Sequence, residues 1–456
     1  MKHAARGLSL FGKGALASRG RVLQHCRGIS SGTGTDTTEQ YDVDRPLFSG
    51  IRADYTDKLE FINPDTLPGI PVYRVMNRTG QMVPGCTEEP DIDDDTLLKM
   101  YKTMTQLNVM DRLLYQSQRQ GRISFYMTHF GEEGILIGTA AALKTSDPVW
   151  AQYREAGILM WRGFTIPQFL GQCYGNNTDF ARGRNMPVHY GSKELNFNFI
   201  SSPLATQICQ ASGCAYKLKT ENMDALSAGK PEDQKIAICF FGDGAASEGD
   251  FHAGMNFAAT LACPALFVCR NNGYAISTPT HDQYRGDGIA ARGQGYGMLT
   301  LRVDGNDVLA VYNAVKKAKQ LILEEHRPVL LEAMSYRVGH HSTSDDSSVY
   351  RSTDEVSRWE KVDSPISRFR LYLINKKIWT PEDDLAWAKE ARKKIIDATK
   401  EAEQIPKPNF YEMFSDVYDK MPPNLKEQQE ELRQHLNQYG QHYPIQQYTN
   451  PEPIAE

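Results

Sequence analysis

The segment Gly242-Asp243-Gly244-Ala245-Ala246-Ser247-Glu248-Gly249 follows directly on the apolar run Ile236–Phe241. A glycine-rich turn that leaves a strand and enters a helix exposes backbone N–H groups, and these suit a phosphate. A dinucleotide-type turn would read GxGxxG, yet Ser247 stands at the third glycine position. Asp243 would repel a phosphate across so tight a turn unless a divalent cation lay between them. A second apolar run ends in Cys269-Arg270-Asn271-Asn272-Gly273-Tyr274, with Asn272 lying 29 residues after Asp243. Two neighbouring parallel strands would bring that carboxylate and that amide oxygen together at their carboxyl ends, where open α/β sheets bind ligands. Magnesium takes about six hard oxygen ligands. Asp243, the Asn272 side chain, the Tyr274 main-chain carbonyl, two diphosphate oxygens and a water would complete that set. Arg270 would add charge-assisted bonds to the diphosphate. A bare acidic–glycine turn is common and often only structural; the pair in this strand context is specific.

Asp-Gly and Asn-Asn at this separation resemble the thiamine-diphosphate motif. Three further segments are similar to alpha subunits of 2-oxo acid dehydrogenases: Gln152-Tyr153-Arg154-Glu155-Ala156-Gly157, Met186-Pro187-Val188-His189-Tyr190-Gly191 and Ser201-Ser202-Pro203-Leu204-Ala205-Thr206-Gln207. The segment Arg337-Val338-Gly339-His340-His341-Ser342-Thr343-Ser344-Asp345-Asp346-Ser347-Ser348 is closer still to the branched-chain members. The likeness spans residues 57–445, essentially all of the chain after its presequence. It departs from the family pattern in a longer polar connection at 221–234, and in Asp243 where many branched-chain members carry Glu. Either carboxylate can hold magnesium.

The resemblance implies a thiamine-diphosphate-binding α/β fold and the oxidative decarboxylation of branched-chain 2-oxo acids, with acyl transfer to lipoyllysine of an acyltransferase core. It implies that Tyr153, Arg154, Ser202, Leu204, Gly244, Ala245, Arg270 and His341 contact the cofactor, and that Asp243, Asn272 and Tyr274 hold magnesium. Ser201, Pro203, Thr206 and Gln207 resemble a potassium site; their spacing alone does not distinguish that from a helix N-cap. It further implies a beta subunit that supplies the aminopyrimidine-activating glutamate, in a heterotetramer of two alpha and two beta chains. The nearest rival is a pyruvate dehydrogenase alpha subunit; a catalytically silent interaction subunit is a rival from another class. The Gly-His-His-Ser-Thr-Ser loop and the long N-terminal arm weigh against the first, and intact Asp243, Asn272 and His341 against the second.

His341 is the catalytic candidate. A lone histidine is ordinarily a surface or satisfied core residue, but this one follows a strand end in a loop of hydroxyls and aspartates. An imidazole there can donate a hydrogen bond or a proton near pH 7. In the family the matching histidine assists transfer to the lipoyl group. Ser342 and Ser352 match phosphorylation sites of the family, which implies a regulatory kinase and phosphatase as partners.

These residues require elements that carry them. Strand signals at Ile236–Phe241, Ala265–Arg270 and Val329–Arg337 alternate with helical segments at His252–Ala262 and Val308–Glu325, the latter preceded by the capping candidate Asp307. This pattern predicts a mainly parallel sheet flanked by helices across residues 96–353. A first helix is expected from Asp95 or Thr96, with Gly121 able to close it. Residues 30–95 read as an extended arm, its Pro-, Gly- and Asp-rich part at 41–95 lying on a surface rather than building a core. Residues 354–456 read as a helical region in which Thr380-Pro381-Glu382-Asp383 opens a long helix to about Glu403. The connection 221–234 reads as a surface loop.

The chain has 456 residues, 40% hydrophobic and 23% charged, with a net charge of −5. That balance is globular, and it carries no basic surplus for nucleic acid. No apolar run reaches the ~20 residues of a membrane-spanning helix, so no membrane insertion is expected. Eight cysteines include no CxxC pair, which argues for free thiols in a reducing compartment and against zinc. Before Asp36 there is no acidic residue but there are several arginines and serines, and residues 1–29 read as a mitochondrial transit peptide ending near Arg27-Gly28-Ile29. The mitochondrial matrix is the expected location.

Overall fold

The structure is a computed structural model that describes residues 46, 48–51 and 53–449. The transit-peptide segment lies outside them. The described residues contain eight strands: β1 (Val72–Tyr73), β2 (Val149–Trp150), β3 (Ala237–Gly242), β4 (Ala265–Asn271), β5 (Tyr274–Ala275), β6 (Thr278–Pro279), β7 (Leu299–Asp304) and β8 (Val329–Met334). Six form one all-parallel sheet in the order β1-β7-β8-β4-β3-β2, and β5 with β6 makes a small antiparallel hairpin.

Parallel strands covered on both faces read as continuous apolar runs, and every residue of β4 is buried. Alternate side chains go to opposite faces. Ile238, Phe240, Leu266 and Val268 join one core cluster; Ala237, Cys239, Phe241, Ala265, Phe267 and Cys269 join the other. The helices Asp94–Arg119, Glu133–Ala141 and Val308–Glu325 pack into the first cluster; Thr206–Ser227 and Gly249–Thr260 pack into the second. The helix Val308–Glu325 matches its expected bounds, with the Asp307 carboxylate accepting from the N–H groups of Leu309 and Ala310. Asp307 has a further role that local pattern does not show. Its other oxygen accepts from the N–H groups of Val75 and Met76 at 2.8 and 2.7 Å, pinning the entry of the sheet's first edge.

Three expectations change. Val75 and Met76 are fully buried and β1 joins the main sheet, so the end of the arm does build core. The helix Thr206–Ser227 runs through the first half of the connection 221–234, because Asn222 pairs with Lys235 at both its amide oxygen and nitrogen and draws the segment onto the sheet end. The strand expected to run to Arg337 ends at Met334, where Ser335 and Arg337 N–H groups turn to the carbonyls of Asn271 and Asn272. Past residue 353 the described residues hold helices and no sheet strand, including Pro381–Gln404 with the Thr380–Asp383 capping box formed. The seven described cysteines are free.

Candidate functional site

β3 and β4 are hydrogen-bonded neighbours with Gly242 opposite Arg270, so Asp243 and Asn272 leave adjacent strand ends on the same edge of the sheet. Strands so paired lie about 4.8 Å apart, which places both side chains within reach of one ion. After β3 the chain first makes a 3-10 turn, Ala245–Ser247, and the helix proper begins at Gly249. The turn has to pass close to the β5–β6 hairpin. A Cβ at Gly244 would meet the Ala275 Cβ at 2.8 Å.

Asp243 is 1% exposed, and its carboxylate accepts from Gln283 Nε2 at 3.0 Å. Among the described residues no Lys, Arg or His stands in ion-pair range of it. Burial pushes its pKa up. A buried carboxylate without a counter-charge is costly, and a cation beside it would relieve the cost. Asn272 donates its amide to Glu132 at 2.9 Å, which turns its oxygen the other way, where the Tyr274 N–H approaches at 3.3 Å. The Tyr274 carbonyl meets Arg337 at a long 3.5 Å. One carboxylate and two neutral oxygens fit a hard divalent cation.

Arg270 is also 1% exposed and is clamped by two carboxylates, Glu132 on one nitrogen and Glu155 on another. Burial pushes Glu132 up, but the Arg270 and Arg154 charges outweigh this and hold it below the usual carboxylate range. Glu155 also accepts from the N–H groups of Gln152 and Arg154, and Gln152 in turn accepts from Gly242 N–H at 2.8 Å. Glu155 thus ties the Gln152–Glu155 turn to the end of β4, and the Gln152 amide oxygen ties it to the end of β3.

Arg154 reaches the third component. It donates to the carbonyls of Thr128 and His341, both at 2.5 Å, and lies 3.4 Å from His341 Nδ1. The Tyr153 and His341 rings meet edge to face at 6.0 Å. Because guanidinium only donates, His341 Nδ1 must accept and the ring proton sits on Nε2. Burial, then the charges of Arg154 and Arg337, push the imidazole down to about 3. His341 is therefore neutral near pH 7, and what it offers there is an N–H donor rather than the titrating acid expected from its type.

The loop that carries it is held from within. His341 N–H and the Tyr350 hydroxyl both donate to Asp345, Arg337 donates to Tyr350, and Arg351 spans the carbonyls of Arg337, Val338 and Gly339. His340 turns away to Ser347. Ser342 is 7% exposed and accepts from Ser344 N–H. Ser352 is the N-cap of the helix Thr353–Val362.

Ser201–Gln207 forms the entry to the helix Thr206–Ser227. Ala205 sits there in the left-handed region and no side chain caps the helix. Gln207 commits its amide nitrogen to the Phe240 carbonyl at 3.0 Å, leaving the amide oxygen for another partner. Ser202 pairs with His189 at 2.8 Å; the other nitrogen of that ring faces the Pro187 carbonyl, so the hydroxyl is the donor. Leu204 packs against the second core cluster.

Sequence reasoning assigned no role to Glu132, His189 or Gln283. The available signal for Glu132 was a pair of adjacent carboxylates, Glu132-Glu133, ahead of the apolar Ile135-Leu136-Ile137.

Residues 101–411 match the family described as dehydrogenase E1 component. The chain is 58% identical over 405 residues to the mitochondrial 2-oxoisovalerate dehydrogenase subunit alpha of Homo sapiens, covering 89% of this chain and 88% of that one. To the protein of the same name from Caenorhabditis elegans it is 50% identical over 439 residues, covering 96% and 99%. The mitochondrial subunit alpha 2 of Arabidopsis thaliana is 46% identical over 397 residues, 87% and 82%.

Proposed function

The chain belongs to the dehydrogenase E1 component family, as an alpha subunit of the branched-chain 2-oxo acid kind, and on that premise we propose how its own residues serve the reaction. The activity is the thiamine-diphosphate-dependent oxidative decarboxylation of branched-chain 2-oxo acids, carried out with a beta subunit and an acyltransferase partner. The finer assignment is that Asp243, the Asn272 amide oxygen and the Tyr274 carbonyl hold magnesium. Tyr153, Arg154, Ser202, Leu204, Gly244, Ala245 and Arg270 line the cofactor. Ser201, Pro203, Thr206 and Gln207 hold potassium through hydroxyl, amide and main-chain oxygens that suit a weakly hydrated ion.

The observation that carries this reading is the buried, uncountered Asp243 on the strand end next to Asn272, with Arg154 linking the same edge to His341. When bound, thiamine diphosphate supplies the carbon nucleophile and the electron sink for decarboxylation. Asp243 and Asn272 fix the diphosphate end, and Gly244 allows close approach of the turn. Arg154 holds His341 in one tautomer with its Nε2–H free to donate to an oxygen of the acyl group as that group passes to one sulfur of the lipoyl disulfide, whose S–S bond is reduced in the transfer and leaves the other sulfur as a thiol. Ser342 and Ser352 are the proposed targets of a regulatory kinase and phosphatase, and the mitochondrial matrix is the proposed location.

The test is His341→Gln in the assembled alpha–beta tetramer. Cofactor affinity should persist, while acylation of a free lipoyl domain falls by about 100-fold or more. Undiminished acylation would remove His341 from the reaction.

A further inference from the structure

We infer that Glu132 is the positioning residue that decides which face of the Asn272 amide meets the metal, an inference that rests on the magnesium reading above. An asparagine side chain has two nearly isosteric ends, and a cation is held only if the oxygen faces it. Locally, the Tyr274 N–H gives only a long 3.3 Å contact to the oxygen end. The selection comes from Glu132, on the turn just before the helix Glu133–Ala141, whose Oε1 accepts from Asn272 Nδ2 at 2.9 Å. A carboxylate only accepts, so it tolerates the NH2 end of Asn272 and excludes the oxygen end. Glu132 is itself immobilised: it is 1% exposed, its Oε2 is bound by Arg270, and Arg154 lies 3.8 Å from its Oε1. Arg270 and Arg154 offer it only donors, so both of its oxygens face donors and serve as acceptors. Its neighbour Glu133, equally buried, faces elsewhere, toward Asn108 and Gly131 N–H.

An amide at position 132 cannot do the same. It offers one acceptor and one donor to a site that needs two acceptors, for Arg270 and for Asn272. The charged partner takes the oxygen, the NH2 then faces Asn272, and the Asn272 amide turns over. Partners of this kind beyond the direct ligands are typically worth about 10- to 100-fold in metal affinity.

The experiment exchanges donor and acceptor across the one hydrogen bond. Magnesium dissociation constants are measured by calorimetric titration at saturating thiamine diphosphate in the assembled tetramer, with a thermal melt of each variant. Glu132→Gln should raise the constant by about 10-fold or more. Asn272→Asp should do likewise, because it sets two carboxylates facing each other. The double variant Glu132→Gln/Asn272→Asp conserves total charge. It also remakes the bond in reverse: the introduced amide NH2 donates to the introduced carboxylate, and the amide oxygen is left for Arg270. Its constant should return to within about 3-fold of the parent, and its melt should recover with it. Losses that merely add in the double variant, or a Glu132→Gln protein of unchanged affinity, would overturn the role of Glu132. The failure of the underlying metal reading is separable: Asp243→Ala in the same titration would then bind magnesium undiminished.

Discussion

Replacing Ser342 with Glu should release the His341 loop, and the structure shows why. Asp345 N–H donates to the Ser342 carbonyl at 3.1 Å, so the two positions are the ends of a tight turn. The ends of such a turn lie within about 7 Å. Two like charges at that separation, at an effective dielectric of about 20, repel by about 2 kcal/mol. Ser342 is 7% exposed, so the new carboxylate also loses much of its water, and it displaces the hydroxyl that accepts from Ser344 N–H. Opposing this are the bonds of Asp345 to His341 N–H at 2.7 Å and to the Tyr350 hydroxyl at 2.6 Å. Bonds to a charged group contribute about 1.5–3 kcal/mol each, so repulsion and burial together rival the set that holds the loop. A loss of about 2 kcal/mol opens the loop roughly 30-fold more often. Native-state hydrogen exchange over 339–351 in the tetramer would read this directly, alongside the rate of lipoyl-domain acylation. The decisive comparison is Ser342→Glu with and without Asp345→Asn, since the amide still accepts both bonds but carries no charge. The double variant should recover about 2 kcal/mol of loop protection. A coupling below about 0.5 kcal/mol would refute repulsion by Asp345 as the cause.

Other outcomes follow from single features. Asp243→Ala and Asn272→Ala should each abolish magnesium-dependent cofactor binding in a protein that still folds, as titration and thermal melts of the assembled alpha–beta complex would show. The chain without its beta partner should aggregate and turn over no 2-oxo acid, because Tyr216, Met223, Leu226 and Phe257 expose apolar surface on two adjoining helices. Light scattering and a decarboxylation assay check this. Gly131→Ala should cost more than about 3 kcal/mol of stability, measured by denaturant unfolding. Gly131 has a φ of +91°, and an added Cβ would fall 2.1 Å from the Tyr336 carbonyl. The neutral His341 predicts an acid limb of stability. Its folded pKa of about 3 lies below the unfolded ~6.5, so its contribution is complete above 6.5 and is lost as pH falls from there toward 3. The slope is at most about 1.4 kcal/mol per pH unit. His341→Gln should flatten that limb in thermal melts across the range; an unchanged limb would refute the assignment.

Some of this protein is determined by residues close together in the chain. Asp307 and Thr380 start their helices with their own side chains, and Gly121 ends the first helix by taking the left-handed conformation that a Cβ disfavours. The buried strands are visible as apolar runs because both faces of a parallel sheet are covered. The placing of Asp243 near Asn272 is legible too, since two such runs in this fold class leave their ligands at carboxyl ends. Other features exist only once the chain has folded. Whether residues 67–95 lie on a surface or join the core depends on Asp307, more than 200 residues away, accepting from Val75 and Met76. Arg270 reads locally as a free cation for a phosphate, yet it is neutralised by Glu132 and Glu155, each more than 100 residues earlier. His341 reads as an ordinary titrating imidazole, and tertiary burial beside Arg154 and Arg337 makes it a neutral donor. Local pattern reports what a residue does to its own backbone. The charge state and orientation of a buried side chain are set by groups that only the closed fold brings beside it, because burial removes the water that would otherwise screen them.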